Sequence, residues 1–394
     1  QMVWSTLPDG YHDYYNARWY EFTGMPPGST DGEGWSGMFH PDDQERAWSL
    51  WRRSLETGEP YEIEYRLRHH SGEYRWTLGR ALPLRDEHGA IVRWYGTCTD
   101  IDAAKRLEEE RTLVANELSH RINGKKVLVI GGAGTIGSSY IKAILRFHIA
   151  KLVVVDINEN GLTELVRDLR SSEGYHIPDE FITYPINFGD RVFEKLFKTH
   201  GPFEIVANFA AHKHVRSEKD IFSVEAMIEN NVLRARKLLD LLLQYPPEHF
   251  FCVSTDKAAN PVNIMGASKK LMEETIMAYA DKLPIKTARF ANVAFSNGSL
   301  PLGFIDRLNK QQPWSCPLGI RRFFVSPQES GELCLMASIM GESGDVFFPK
   351  LDEERDMIPF DRIAIDLLHY LGLEPDSCQS EEEARQKSET RRHE

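Results

Sequence analysis

A chain of 394 residues exceeds one typical domain, and its 41% hydrophobic and 11% aromatic content is ample for packed cores, which excludes disorder over most of its length. A net charge of −12, with no basic stripe to offset it, argues against a nucleic-acid or anionic-membrane partner. The cysteines, Cys98, Cys252, Cys316, Cys334 and Cys378, are scattered and lack C-x-x-C spacing, so a reducing compartment is expected, without disulfide framework or metal site. No run of about 18 apolar residues marks a membrane span and the start does not read as a signal peptide, so the protein is expected to be cytoplasmic.

Residues 1–102 read as one small α+β unit, with helical segments around 14–22 and 44–55 and strand character over 61–68, 74–83 and 91–99. Asn16-Ala17-Arg18-Trp19 leads to Phe22-Thr23-Gly24, then Phe39-His40-Pro41-Asp42-Asp43, then Gly72-Glu73-Tyr74-Arg75-Trp76. Together these motifs resemble a PAS domain of the sensor histidine kinase type. The flavin-binding branch of that family needs a helix cysteine, whereas Cys98 lies on the last strand, so no photochemical role is expected. His40 reads as the start of a helix, with Pro41 in its first turn and acids beside it.

Residues 103–122 form a charged linker helix with an apolar stripe at Leu107, Val114 and Leu118, the pattern of a signalling coiled coil, and a homodimer is expected from it. Leu118-Ser119-His120-Arg121 resembles the phospho-acceptor box of a sensor kinase. The chain beyond it carries neither the second half of a dimerisation hairpin nor an ATP-binding lobe, so His120 reads as an exposed linker residue on a truncated kinase-type segment.

A different fold is expected over 123–373. Lys126 to Ile130 is a short apolar strand, followed by Gly131-Gly132-Ala133-Gly134-Thr135-Ile136-Gly137 and a helix over 138–147. Such a turn lets backbone approach a pyrophosphate at a helix N-terminus. A second strand ends at Asp156, at the spacing suited to an adenosine ribose, which favours NAD over NADP. Asn187 follows a third strand; in the extended short-chain dehydrogenase/reductases, which this strand-turn-helix order resembles, an acid at that position touches the adenine amine, and an Asn carbonyl can still accept that bond. A fourth strand runs into Ala210-Ala211-His212-Lys213-His214-Val215, which resembles that family's A-A-x-K-H-V segment over the nicotinamide ribose and the sugar, so that Ala210 and Ala211 would face the cofactor and Lys213 a phosphate or hydroxyl.

The apolar run Phe250 to Val253 reads as a buried strand that delivers Ser254, Thr255, Asp256 and Lys257 at its carboxyl end, and the periodic run from Met265 through Ile276 as the next helix, carrying Lys269. Thr255-Asp256-Lys257 followed by Met265-x-x-x-Lys269 resembles the active-site segment of the extended short-chain dehydrogenase/reductases, specifically the nucleotide-sugar 4,6-dehydratases of polysaccharide biosynthesis. The family's usual tyrosine is replaced by Met265, which cannot exchange a proton; a branch of larger dehydratases is similar in carrying Met there. The resemblance implies an α/β Rossmann-type, doubly wound parallel sheet with a small C-terminal substrate lobe, and a tightly bound, regenerated NAD.

It further implies a lyase acting on a UDP-N-acetylglucosamine-like UDP-sugar. Lys257 would be the base at C5, Asp256 the acid at C6, and Lys269 the cofactor-ribose ligand, with the C4 proton leaving through Thr255, Ser254 or water. Gly131, Gly134, Thr135, Ile136 and Gly137 would line the pyrophosphate. Asn231 would order the lysine. Asn292, Ser299 and Arg322 would bind the nucleotide-sugar phosphates, in the segments Arg289 to Val293, Ser296 to Ser299 and Arg321 to Val325 with Glu329. Residues 374–394 are expected to be a charged, disordered tail. A 4-epimerase shares the whole scaffold, and a signalling protein whose dinucleotide domain reads NAD without catalysis stands as the alternative from another class.

Overall fold

A computed structural model describes residues 1–212, 220–289 and 291–391. The chain divides into two compact units, Gln1–Asn116 and Glu117–Glu394.

The first unit is an antiparallel sheet with helices. Its elements in order are β1 (Met2–Thr6), β2 (His12–Tyr15), α1 (Ala17–Thr23), α2 (Pro41–Thr57), β3 (Tyr61–Arg68), β4 (Tyr74–Arg85), β5 (Ile91–Asp100) and the first part of α3 (Asp102–Ile122). The sheet order is β2-β1-β5-β4-β3. Strict alternation puts Tyr61, Ile63, Tyr65 and Leu67 of β3 on the buried face. Aromatic residues dominate the core: Trp4, Trp19, Trp35, Trp51 and Trp94 are all nearly closed to solvent.

The expected helix over 14–22 begins only at Ala17, because Tyr14 and Tyr15 pair with β1 and Asn16 caps α1 through its side chain. His40 is the N-cap of α2, its ring accepting the Asp42 N–H, so the helix-start reading of His-Pro-Asp-Asp holds in detail. Cys98 is buried against the Tyr65 hydroxyl at 3.0 Å, and burial pushes its thiol up to about 11, which leaves it inert.

The boundary between the units falls inside α3, whose Leu118 and Ile122 are buried in the second unit while Leu107 and Leu113 are 57% and 68% exposed. The second unit continues with β6 (Lys126–Ile130), α4 (Thr135–Ile144), β7 (Lys151–Val155), α5 (Glu159–Ser171), β8 (Glu180–Tyr184), α6 (Arg191–His200), β9 (Ile205–Asn208) and α7 (Ile221–Ile228). Next come α8 (Arg234–Gln244), β10 (His249–Val253), α9 (Ile264–Met277), β11 (Ile285–Ala288), β12 (Asn292–Val293), α10 (Leu300–Asn309), β13 (Arg321–Val325) and α11 (Pro327–Met340). The chain closes with β14 (Asp345–Phe347), α12 (Glu353–Asp356), β15 (Met357–Pro359), α13 (Phe360–Tyr370) and α14 (Glu381–Arg391).

Seven strands form a parallel sheet in the order β14-β11-β10-β9-β6-β7-β8. The strands β6, β7 and β9 read as unbroken apolar runs because helices cover both sheet faces. Chain direction along the sheet reverses between β6 and β9, which opens a crevice at their carboxyl ends. A small sheet, β12-β13-β15, stands apart.

Two local expectations change. The helix after the glycine turn starts at Thr135 rather than Ser138, since the turn itself delivers the first helical residue. The charged stretch after Ser377 carries the helix α14, supported by pairs four residues apart, Glu381 with Arg385 and Glu383 with Lys387. Among the described residues no helix is long and apolar enough to cross a membrane.

Candidate active site

The crevice at the strand ends is a cleft of about 470 Å³. Its floor follows from the glycine turn. Gly131 sits at φ +78°, and a Cβ there would lie 2.5 Å from the Ala210 nitrogen; one on Gly137 would run into the Gly131 carbonyl. Gly134 is the N-cap of α4 and offers no side chain, so the first N–H groups of that helix are left for a ligand. This cradle fits a dinucleotide pyrophosphate.

Asp156, at the end of β7, lines the cleft and accepts the Ala133 N–H at 3.0 Å and the Asn158 N–H at 2.9 Å. A carboxylate has about four lone-pair sites, so two remain for a ribose diol. Asn187 also lines the cleft, with its Oδ1 accepting the Gly189 N–H at 2.8 Å. Ile136, Ala210 and Ala211 complete this side.

The other wall is the β10–α9 corner. Thr255, Lys257, Met265 and Lys269 all line the cleft. Met265 and Lys269 are buried, and the Lys269 ammonium lies 3.9 Å from the Met272 sulfur. Asp256 is not on the lining but ties the corner together. Its Oδ1 accepts the Thr255 hydroxyl at 2.7 Å, the Lys257 N–H at 2.9 Å and the Lys257 ammonium at 3.2 Å. Lys257 and Asp256 are 42% and 48% exposed, so the pair lies open to solvent at the rim.

Sequence reasoning missed a buried network behind this corner. The Ser254 hydroxyl donates to Glu273 at 2.7 Å, and Glu273 is also gripped by both arms of Arg289. Burial alone would raise the Glu273 carboxyl, yet the Arg289 guanidinium and the Ser254 hydroxyl hold it below its usual range. Glu273 stands four residues after Lys269 on α9, and that spacing, with an arginine ending the next strand, was the available signal.

Asn231 lies in a π-helical turn, Glu229–Leu233, between α7 and α8. Its Oδ1 accepts the His212 N–H at 2.8 Å, and its Nδ2 reaches the His212 carbonyl and the Ser268 hydroxyl, each at 3.1 Å. One buried amide thus joins the loop after β9 to the helix that carries Lys269.

On the substrate side, Asn292 and Ser299 line the cleft, and Ser299 is the N-cap of α10. Arg322 is exposed and does not line the cleft. Its neighbour Arg321 is held by the carbonyls of Glu353, Glu354 and Met357. Glu329 closes a capping box with Ser326 at the start of α11, a structural role. Lys213 lies outside the described residues.

Residues 127–390 match the family described as polysaccharide biosynthesis protein, and residues 12–98 match the PAS fold. A probable polysaccharide biosynthesis protein, EpsC of Bacillus subtilis, is 28% identical, the match taking in 74% of this chain and 48% of that protein's length. A UDP-N-acetylglucosamine 4,6-dehydratase (inverting) of Campylobacter jejuni is 27% identical over 58% of this chain and 68% of its own. A UDP-glucose 4-epimerase of Rickettsia bellii is 31% identical over 57% and 66%. Among solved structures, WbmF of Bordetella bronchiseptica in complex with NAD+ has the same fold, with a TM-score of 0.52, 19% identity, and coverage of 65% of this chain and 81% of that one.

Proposed function

This chain belongs to the polysaccharide biosynthesis protein family of extended short-chain dehydrogenase/reductases, which includes nucleotide-sugar dehydratases and epimerases and uses NAD, and from that premise we propose that it is a nucleotide-sugar 4,6-dehydratase acting on a UDP-N-acetylglucosamine-like sugar. The observation that carries this reading is the hydrogen-bonded array Thr255-Asp256-Lys257 at the end of β10, in which Asp256 bridges Thr255 and Lys257, two residues that line the cleft with Lys269. An epimerase has no use for an acid and an amine at this point. A dehydratase needs both.

The glycine cradle, Asp156 and Lys269 would hold NAD, which would supply reversible hydride chemistry when bound. With Met265 unable to take the C4 hydroxyl proton, Thr255, Ser254 or water must take it, and the partners of the two side-chain hydroxyls separate those two. The Ser254 proton is directed to the buried Glu273, which has no path to the sugar. The Thr255 proton is directed to Asp256. Thr255 Oγ1, which lines the cleft, takes the C4 hydroxyl proton while passing its own to Asp256 Oδ1, and the proton held on Asp256 returns through Thr255 Oγ1 to the C6 hydroxyl as it leaves as water. Lys257, half exposed, gives its ammonium proton to solvent beforehand, takes the C5 proton as the free amine and returns it to C5, so it ends the cycle as it began. Lys269 favours the developing negative charge at O4. The proton lost in oxidation is the one used in elimination, so the cycle balances without outside acid.

The test is incubation with UDP-N-acetylglucosamine and measurement of the alkali-induced absorbance of a 4-keto-6-deoxy product. A C4 epimer as the only product would favour the epimerase reading, which the Rickettsia relative supports. Tight NAD binding with no product from any UDP-hexose would leave a nucleotide-reading module joined to a PAS domain.

A further inference from the structure

A long-range hydrogen bond that the mechanism does not use links the two sides of the cleft. The Asn297 N–H, in the loop between β12 and α10, donates to the Thr135 hydroxyl of the glycine turn at 3.1 Å, and both residues line the cleft. Thr135 is the first residue of α4, at the mouth of the cradle. Its oxygen receives Asn297, so its proton is left to donate to a phosphate bound at that helix end. A hydroxyl that donates to an anion becomes a better acceptor in turn.

The loop is built to reach across. Ser299 N–H bonds the Ser296 carbonyl at 2.8 Å with Gly298 at φ +79°, the arrangement of a type II turn whose first central residue is Asn297. Just before it, Phe295 is held at φ +53°, a strained conformation for a bulky side chain, which persists only where surrounding contacts impose it. Asn292 and Ser299, the expected sugar-nucleotide ligands, bracket this same loop.

We propose that Thr135 is a positioning residue that latches the loop over 292–299 to the cofactor cradle, so that cofactor and sugar nucleotide hold each other in place through one hydroxyl. The cofactor half stands on the cradle alone; the sugar-nucleotide half rests on the proposed dehydratase function.

The experiment is NADH release followed by fluorescence in stopped flow, with and without UDP, for the wild type, T135V, T135S, N297P and N297A. Valine keeps the shape of threonine and removes the hydroxyl. Proline suits the first central position of a type II turn and deletes the donor N–H along with the Asn297 carboxamide, so N297A, which keeps the N–H, is the control and should release NADH as the wild type does. T135V and N297P should each release NADH roughly 5-fold faster, T135S should match the wild type, and the double variant should be no faster than T135V. UDP should slow release from the wild type and from T135S but from neither disrupted variant. Wild-type release from N297P, or T135S behaving as T135V, would overturn the latch. If UDP has no effect on any form while N297P still releases faster, the latch stands and the sugar-nucleotide reading fails.

Discussion

The two units enclose space in opposite ways. The cleft of the second unit is about 470 Å³, with the glycine turn and the N-terminus of α4 at its floor, and it keeps polar groups open to a ligand. The enclosure in the first unit is about 20 Å³, walled by Trp4, His12, Trp35, Trp51, Tyr65 and others, and the His12 Nδ1 and Trp35 Nε1 are buried without a hydrogen-bond partner among the described residues. One site keeps room at its floor where glycines stand in place of side chains, and the other packs the largest side chains against one another. A cavity for chemistry is therefore legible in glycine spacing, whereas an aromatic core conceals its strain until the packing is seen.

The hardest test of that contrast falls on the open site. K257A and D256N should each lower turnover of UDP-N-acetylglucosamine by roughly 100-fold or more, with the melting temperature unchanged, because both side chains are half exposed and support no core. Turnover within a few-fold of the wild type would remove the pair from the chemistry. G137V should abolish NADH binding by fluorescence titration, since any side chain there collides with the Gly131 carbonyl.

A third test sharpens the difference between carboxylates. E273Q should destabilise the second unit by about 3 kcal/mol in urea melts, because it leaves Arg289 facing a partner without charge in a buried network. D256N, on the exposed rim, should cost less than about 1 kcal/mol. Equal costs would show that burial does not separate the two.

The smallest effect is expected from pH acting on the closed site. Burial lowers the His12 imidazole to about 3, so the unfolded chain binds a proton that the folded unit refuses. Between the ordinary histidine value and that lowered one, stability is lost as pH falls, by about 1.4 kcal/mol per pH unit at most. Trp4, Trp19, Trp35, Trp48, Trp51, Trp76 and Trp94 lie in the first unit and only Trp314 in the second, so tryptophan fluorescence reads this unfolding nearly alone. H12F should flatten the acid limb. A parallel shift of both curves would exclude His12 as its source.

The sequence carried the strand-turn-helix of the cradle and the Thr255-Asp256-Lys257 corner because periodicity and punctuation are local signals. It did not show that Asp256 bridges its two neighbours, that Glu273 takes the Ser254 proton, or that Asn297 reaches Thr135. Those links join residues up to 162 positions apart and depend on how loops fall across the sheet. In the first unit, β1 and β2 escaped notice because each is short and bracketed by polar turns, although Met2, Trp4 and Tyr15 bury themselves there. Arg322 was chosen over Arg321 on a motif alone, and neither lines the cleft.

The π-helical turn at Glu229–Leu233 has a last consequence. Removing one residue from it would restore an ordinary helix, and the segment by itself would gain from the repair. It would also swing everything on one side by about 100° around the axis, carrying the Asn231 amide off both the His212 backbone and Ser268. A single-codon deletion that mends the helix would thus unfasten one wall from the other, which makes this irregularity a place where selection on local regularity and selection on the crevice pull in opposite directions.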